Sequence, residues 1–158
     1  MSGFGFQAPA EPSIVIDAAS GWPELSTGEF RELRRIPEFF SEKAIEDSLN
    51  RSVAEIQQQI LNYVTGNFVG QASTDTDVPF TLGASLAPNF SAQQISIYRG
   101  AVYARSHADL LGYFSAVDQK DAGNNKAQDT QQQDAILAQS NRAVRLLLGL
   151  GRAGVHSL

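Results

Sequence analysis

At 158 residues the chain is of single-domain length, and 42% hydrophobic residues can bury a core over most of it. A formal charge of −5, from 12 basic and 17 acidic residues, excludes an overall electrostatic footprint for nucleic acid, which needs clustered Lys and Arg. Absence of cysteine excludes disulfides and thiolate metal ligands, and the 2 histidines, His107 and His156, lie far apart in the chain.

The opening MSGFGFQAPAEPSIVID lacks the basic and apolar regions of a signal peptide, and no later run is apolar enough for a membrane span. The reading is a soluble chain made in the cytosol, so the Asn-x-Ser sequons at Asn50 and Asn89 carry no weight. Residues 1–25 read as an N-terminal arm, rich at its start in Gly, Ala and Pro, although Ser13 to Asp17 (SIVID) has the composition of a short strand. Phe4, Phe6 and Trp22 on this arm fit either anchors on a neighbouring subunit or ordinary packing on the parent bundle.

Ser26-Thr27-Gly28-Glu29 fits a capping box and predicts a short helix carrying Phe30, Leu33 and Arg34. It must stop near Ile36, because Pro37 disfavours helical geometry in the residue before it. Ser41 is the next start signal, with Glu42, Glu46 and Asp47 favourable at the positive end of the helix dipole. From there Ile45, Leu49, Val53, Ile56, Ile60 and Val64 recur at helical spacing, while Asn50, Arg51, Glu55, Gln58 and Gln59 make a polar face. This predicts an amphipathic helix ending at Gly66 and covering one flank of the core. Residues 66–90 read as a long loop with one short extended piece at Val78 to Leu82, fitting a binding loop and a loose connector equally.

Ser91-Ala92-Gln93-Gln94 is a second capping box, opening the stretch Ile95 to Val117. Ile95, Tyr98, Val102, Tyr103, Ala108, Leu111, Phe114 and Val117 fall on several sides of that helix, which marks it as buried. It would be a rod of roughly 34 Å, too polar at Arg99, Arg105, His107 and Asp109 for a bilayer. Gly123-Asn124-Asn125-Lys126 reads as a turn, and Ala127 to Leu148 as a last helix. The first half of that helix, Gln128 to Asp134, is hydrophilic and should project from the core or meet another chain; the second half, from Ile136 to Leu148, can pack firmly. The predicted fold class is all-α, a small bundle of about four helices over 26–149, with a long central helix and extended arms at 1–25 and 150–158.

Candidate chemistry is sparse. Gly149-Leu150-Gly151-Arg152-Ala153-Gly154 matches the dinucleotide-binding string, but a helix precedes it where that motif needs a strand before and a helix after. Its glycines fit a helix C-cap followed by a flexible tail, and such a tail can gain order on a partner. Asp75 with Asp77, or Asp118 with Asp121, lack the further oxygen ligands of a calcium loop. His107 and Asp109 do not converge as a helical ligand pair would, and His107 reads as a hydrogen-bonded core or interface residue. No serine sits in a nucleophile elbow. The expectation is no catalytic residue, no metal and no cofactor.

Certain words and their order resemble a known family. Phe30-Arg31-Glu32-Leu33-Arg34 before a long helix, Tyr98-Arg99-Gly100-Ala101-Val102-Tyr103, Asp109-Leu110-Leu111, and the turn from Val117-Asp118 through Gly123 to Lys126-Ala127 resemble the head completion proteins of tailed bacteriophages, of the GPL type found in contractile-tailed temperate phages. The resemblance runs from about Glu29 to Gly149; Arg142-Ala143-Val144 stands where such proteins usually carry Arg-Trp-aliphatic, so the Trp is replaced here. It implies a non-enzymatic head-tail adaptor in the virion neck, a ring of identical copies beneath the portal protein that seals the packaged head. The ring would offer a docking surface to the next neck or tail-terminator protein, and packaged DNA would pass through its channel without sequence-specific binding.

The resemblance also implies a C-terminal arm that enters the portal, here carrying Gly151, Arg152, Val155, His156 and Leu158. Too little chain remains to cover every side of the central helix, so Tyr103, His107 and Leu110 are candidates for contact with a neighbouring copy, as are Val78 and Phe80 of the long loop. The acidic balance suits a channel wall along which DNA slides. The competing class is a DNA-binding helical protein, such as a small terminase or a regulator, using Arg31, Arg34 and Arg35 as a basic face; the net charge opposes it.

Overall fold

One helix, α3 (Ala92–Val117), is the spine on which the other elements lie. The computed structural model describes residues 11–66, 78–117 and 126–151. In chain order its other elements are β1 (Val15–Ile16), β2 (Leu25–Ser26), α1 (Thr27–Arg34), α2 (Glu42–Val64) and α4 (Lys126–Leu147), so the fold is all-α apart from one two-stranded ribbon. The capping box before α3 forms in both directions: the Gln94 N–H donates to Ser91 Oγ (3.3 Å), and the Ser91 N–H donates to Gln94 Oε1 (2.8 Å).

The side chains of α3 are apolar nearly all round because three groups of elements cover it. On one flank α2 presents Ile45, Leu49, Ile56 and Ile60, each fully buried, and each such burial stabilises by roughly 1.5–3 kcal/mol. On another flank α4 runs antiparallel to α3 in the most extensive helix contact of the chain. α1 covers a third side, where Phe30 stacks on Tyr103 with ring centroids 5.4 Å apart.

The polar first half of α4 lies along α3 and does not project. Small residues on α3 make that possible, since Ala101, Ala104, Ala108 and Gly112 let two backbones approach closely. Polar side chains of α4 then reach the carbonyls of α3: Gln133 Nε2 donates to the Ala108 oxygen (3.0 Å) and Ser140 Oγ to the Ala101 oxygen (2.8 Å). Among the side chains described in this half, Gln133 turns inward while Gln131, Gln132 and Asp134 stay exposed, and Ile136 begins the buried part of the helix.

The segment Ile14 to Leu25, read from sequence as part of an arm, packs into the bundle. The strand expected within Ser13 to Asp17 forms as β1, with Val15 opposite Ser26 and Ile16 opposite Leu25, antiparallel. Ile16, Trp22 and Leu25 are core residues. Trp22 lies against Tyr98 and Phe90, so its role is packing within its own chain; Phe4 and Phe6 lie outside the described residues. Gly21, at φ +86°, turns the chain where a Cβ would stand 2.9 Å from the Ala87 Cβ.

Within the long loop, residues 67–77 lie outside the described part. From Val78 onward the chain folds back on itself, with the Asn89 N–H donating to the Thr81 oxygen (2.7 Å) and the Gly83 N–H to the Ala87 oxygen (2.8 Å). Phe80 and Ala87 are buried by this turn, which is a packed part of the core.

Candidate functional site

Polar side chains between the helices form three groups. At the α1–α2 corner Arg31 Nε pairs with Glu42 Oε1, while its other nitrogens bond the Pro37 and Phe40 carbonyls, which holds the turn 35–41. Glu42 Oε2 is buried without a hydrogen-bond partner. The N-terminus of α2 is capped by Ser41 Oγ, which accepts from the Ala44 N–H, and by Glu11 Oε2, which accepts from the Glu42 N–H (2.7 Å).

Between α2 and α3, Ser48 Oγ lies 2.7 Å from Ser106 Oγ and donates to Asp109 Oδ2 (2.9 Å). Arg51 bonds the same Asp109 oxygen (2.7 Å) and pairs with Asp47; the Asp109 bond is the main cause that raises the Arg51 pKa. Arg105 extends the seam toward α4, reaching Glu55 Oε2 (3.2 Å), Asn141 Oδ1 (2.9 Å) and Ser140 Oγ (3.4 Å). Arg51, Glu55, Arg105, Asp109, Gln133 and Leu137 line a shallow pocket of about 180 Å³ there.

The third group joins α1 to α3. The Tyr103 hydroxyl enters the cap of α1, accepting from the Ser26 N–H (3.3 Å), while Ser26 Oγ accepts from the Glu29 N–H (3.1 Å). Half of the predicted box therefore forms locally and α3 supplies the other half. Burial is the main reason the Tyr103 hydroxyl is pushed up to about 12. Arg34 donates to the Gly100 oxygen (3.4 Å) and Gln139 Oε1 (3.3 Å), and burial lowers its pKa. His107 is held below the usual imidazole range, first by burial and then by Arg34, and its Nδ1 is buried without a partner.

The residues singled out from sequence are distributed unevenly. Tyr103 (1% exposed), Leu110 (5%) and Phe80 (8%) are spent on the core of their own chain, and Val78 packs beside them. His107, on α3, is half-buried and feels the charge of Arg34, and its Nδ1 lacks the hydrogen bond expected from sequence. Gly151 is exposed, whereas Arg152, Val155, His156 and Leu158 lie outside the described residues, as do Asp75, Asp77, Asp118 and Asp121. Of the basic face considered for DNA, Arg31 and Arg34 are occupied within the chain and only Arg35 is exposed. Sequence reading missed Ser48 and Ser52, which are buried on the α2 stripe; their spacing with Ile45, Leu49 and Ile56 was the available signal.

At the end of α4 the chain leaves in a defined direction. Gly149, at φ +74°, sits in a Schellman motif in which the Leu150 N–H donates to the Arg145 oxygen (2.8 Å) and the Gly149 N–H to the Leu146 oxygen (3.1 Å). Leu150 packs on the core, and Arg145 Nη2 then grips the Gly151 carbonyl (2.8 Å).

Among the described residues no three His, Asp or Glu side chains group as a metal site, and no helix is long and apolar enough to cross a membrane. Polar groups here join helices, and the open features are exposed apolar side chains and a directed chain end. The class these define is a small all-α bundle. The chain belongs to the phage head completion protein (GPL) family, whose model matches residues 16–158. No curated protein and no solved structure matches it. Membership makes it a virion component with a structural role in head completion.

Proposed function

We propose that the protein acts as a head-tail adaptor in the virion neck, a non-enzymatic subunit repeated as a cyclic ring under the portal after DNA packaging. In that position the ring seals the filled head and offers its outer surface to the next neck or tail-terminator protein. DNA crosses the channel without base-specific contact, which the net charge of −5 favours.

The observation that carries the portal contact is the end of α4. The Schellman motif and the Arg145 grip on Gly151 end α4 and hold the chain as far as Gly151, and this supports an arm over 152–158 that reaches a partner. Arg152, Val155, His156 and Leu158 are the side chains it would bring to the portal. A chain ending at Gly151 keeps the helix cap and the Leu150 packing, so it tests the arm without disturbing the bundle. Loss of complex formation with purified portal is the expected result, and undiminished binding refutes arm docking.

A further inference from the structure

Two open surfaces lie on opposite sides of α3. The first is a groove of about 320 Å³ between α1 and the N-terminal half of α3, with Leu33, Ala92 and Ile95 as apolar lining. Its rim carries Arg34 and Arg99 against one carboxylate, Glu29. Leu33 is 63% exposed there, and a Cβ on Gly100 would meet no atom within 4 Å. Leu146, 61% exposed, extends this surface: it lies two helical turns along α4 from Gln139, the partner of Arg34. The register that brings Ser140 to Ala101 and Gln133 to Ala108 also sets Leu146 level with Ile95.

The second surface is the pocket among α2, α3 and α4, with Leu137 38% exposed beside it. The lining itself balances Glu55 and Asp109 against Arg51 and Arg105, and its surround is tipped to the acidic side by Asp47, which shares Arg51 with Asp109, and by the exposed Asp134, three residues before Leu137 on α4. On α3 the two sets of lining residues are centred roughly 160° apart at 3.6 residues per turn.

A basic, apolar groove facing one way and an acidic, apolar surface facing the other complement each other between copies and cannot meet within one. We propose that neighbouring subunits associate head to tail, with Leu137 and its acidic surround on one copy entering the α1–α3 groove of the next. Pairing groove with groove would set Arg34 and Arg99 of both copies against each other, and like charges across an interface oppose association. Contact between two different patches propagates and closes into a ring where the rotation allows, so this inference rests on the ring reading above and assigns its faces.

The chain has no cysteine, so introduced thiols report without background. Full-length Ser96→Cys protein, its thiol in the groove, and full-length Leu137→Cys protein are oxidised separately and as a mixture. The mixture is expected to give about tenfold more disulfide dimer than either protein alone, because docking holds the unlike thiols together. Adding Leu33→Glu to the Ser96→Cys protein, at a side chain exposed enough not to disturb folding, is expected to remove that excess. Equal yields from Ser96→Cys alone overturn the assignment, as does absence of a mixed dimer, whether the protein sediments as monomer or oligomer. Ring function is read separately, by supplying the unmodified chain to a phage that lacks it. Restored infectivity without a 96–137 link refutes only the faces, and failure to restore it refutes the adaptor reading.

Discussion

Replacing Arg31 by Met removes the cation from a carboxylate that has no other place to go. The Glu42 side chain is 9% exposed, its Oε2 already lacks a partner, and the Arg31 side chain is 22% exposed. Arg31→Met therefore leaves a buried charge uncompensated and releases the Pro37 and Phe40 carbonyls. The loss should be about 3 kcal/mol, as for a broken buried pair with some access to water. At roughly 2–4 °C per kcal/mol for a domain of this size, the melting temperature falls by about 6–12 °C. Urea unfolding followed by circular dichroism measures it, together with the double variant Arg31→Met/Glu42→Leu, which should recover most of the loss because no charge stays buried. A loss below about 1 kcal/mol for the single variant, the scale of a surface ion pair, refutes the reasoning, as does a double variant no better than the single.

Other expectations can be checked with the same unfolding assay. Tyr103→Phe strips the Ser26 N–H of its acceptor and should cost about 1–3 kcal/mol without altering helix content. Gly100→Ala adds a methyl where nothing stands within 4 Å and should stabilise the isolated chain by about 0.5–1 kcal/mol; a loss would mean the α1–α3 groove is closed in solution. Gly112→Ala meets Gln133 Nε2, the far end of a flexible side chain, at 2.5 Å, so the lost bond to Ala108 and the gain in helix propensity should leave stability within about 1 kcal/mol. Because the folded pKa of His107 is depressed, its contribution is complete above the unfolded value of about 6.5 and is lost as the pH falls from there through the folded value. Urea midpoints should thus drop on going from neutral to acidic pH, and His107→Gln should flatten that dependence; an unchanged slope refutes it.

Periodicity and capping chemistry determined the helices from the sequence alone. The Ile45–Leu49–Val53–Ile56–Ile60 stripe, the Ser41 and Ser91 caps and the Gly149 stop act within a few residues of chain, where helical geometry dictates which groups meet. The all-round apolar character of Ile95 to Val117 likewise announced a buried spine. What covers that spine was a tertiary decision. Ile16, Trp22 and Leu25, which local composition assigned to an arm, and Phe80 and Ala87, from an apparent loop, complete the core because they bury apolar area against α2 and α3. The same holds for the polar groups. The Tyr103 hydroxyl that caps α1 comes from 77 residues away, and Ser48 meets Ser106 across 58. A pattern confined to a few turns of chain cannot encode which distant helix face will arrive. Tyr103 and Leu110 looked free for a neighbouring copy until packing within the chain claimed them, and it left Leu33, Leu137 and Leu146 in the open instead.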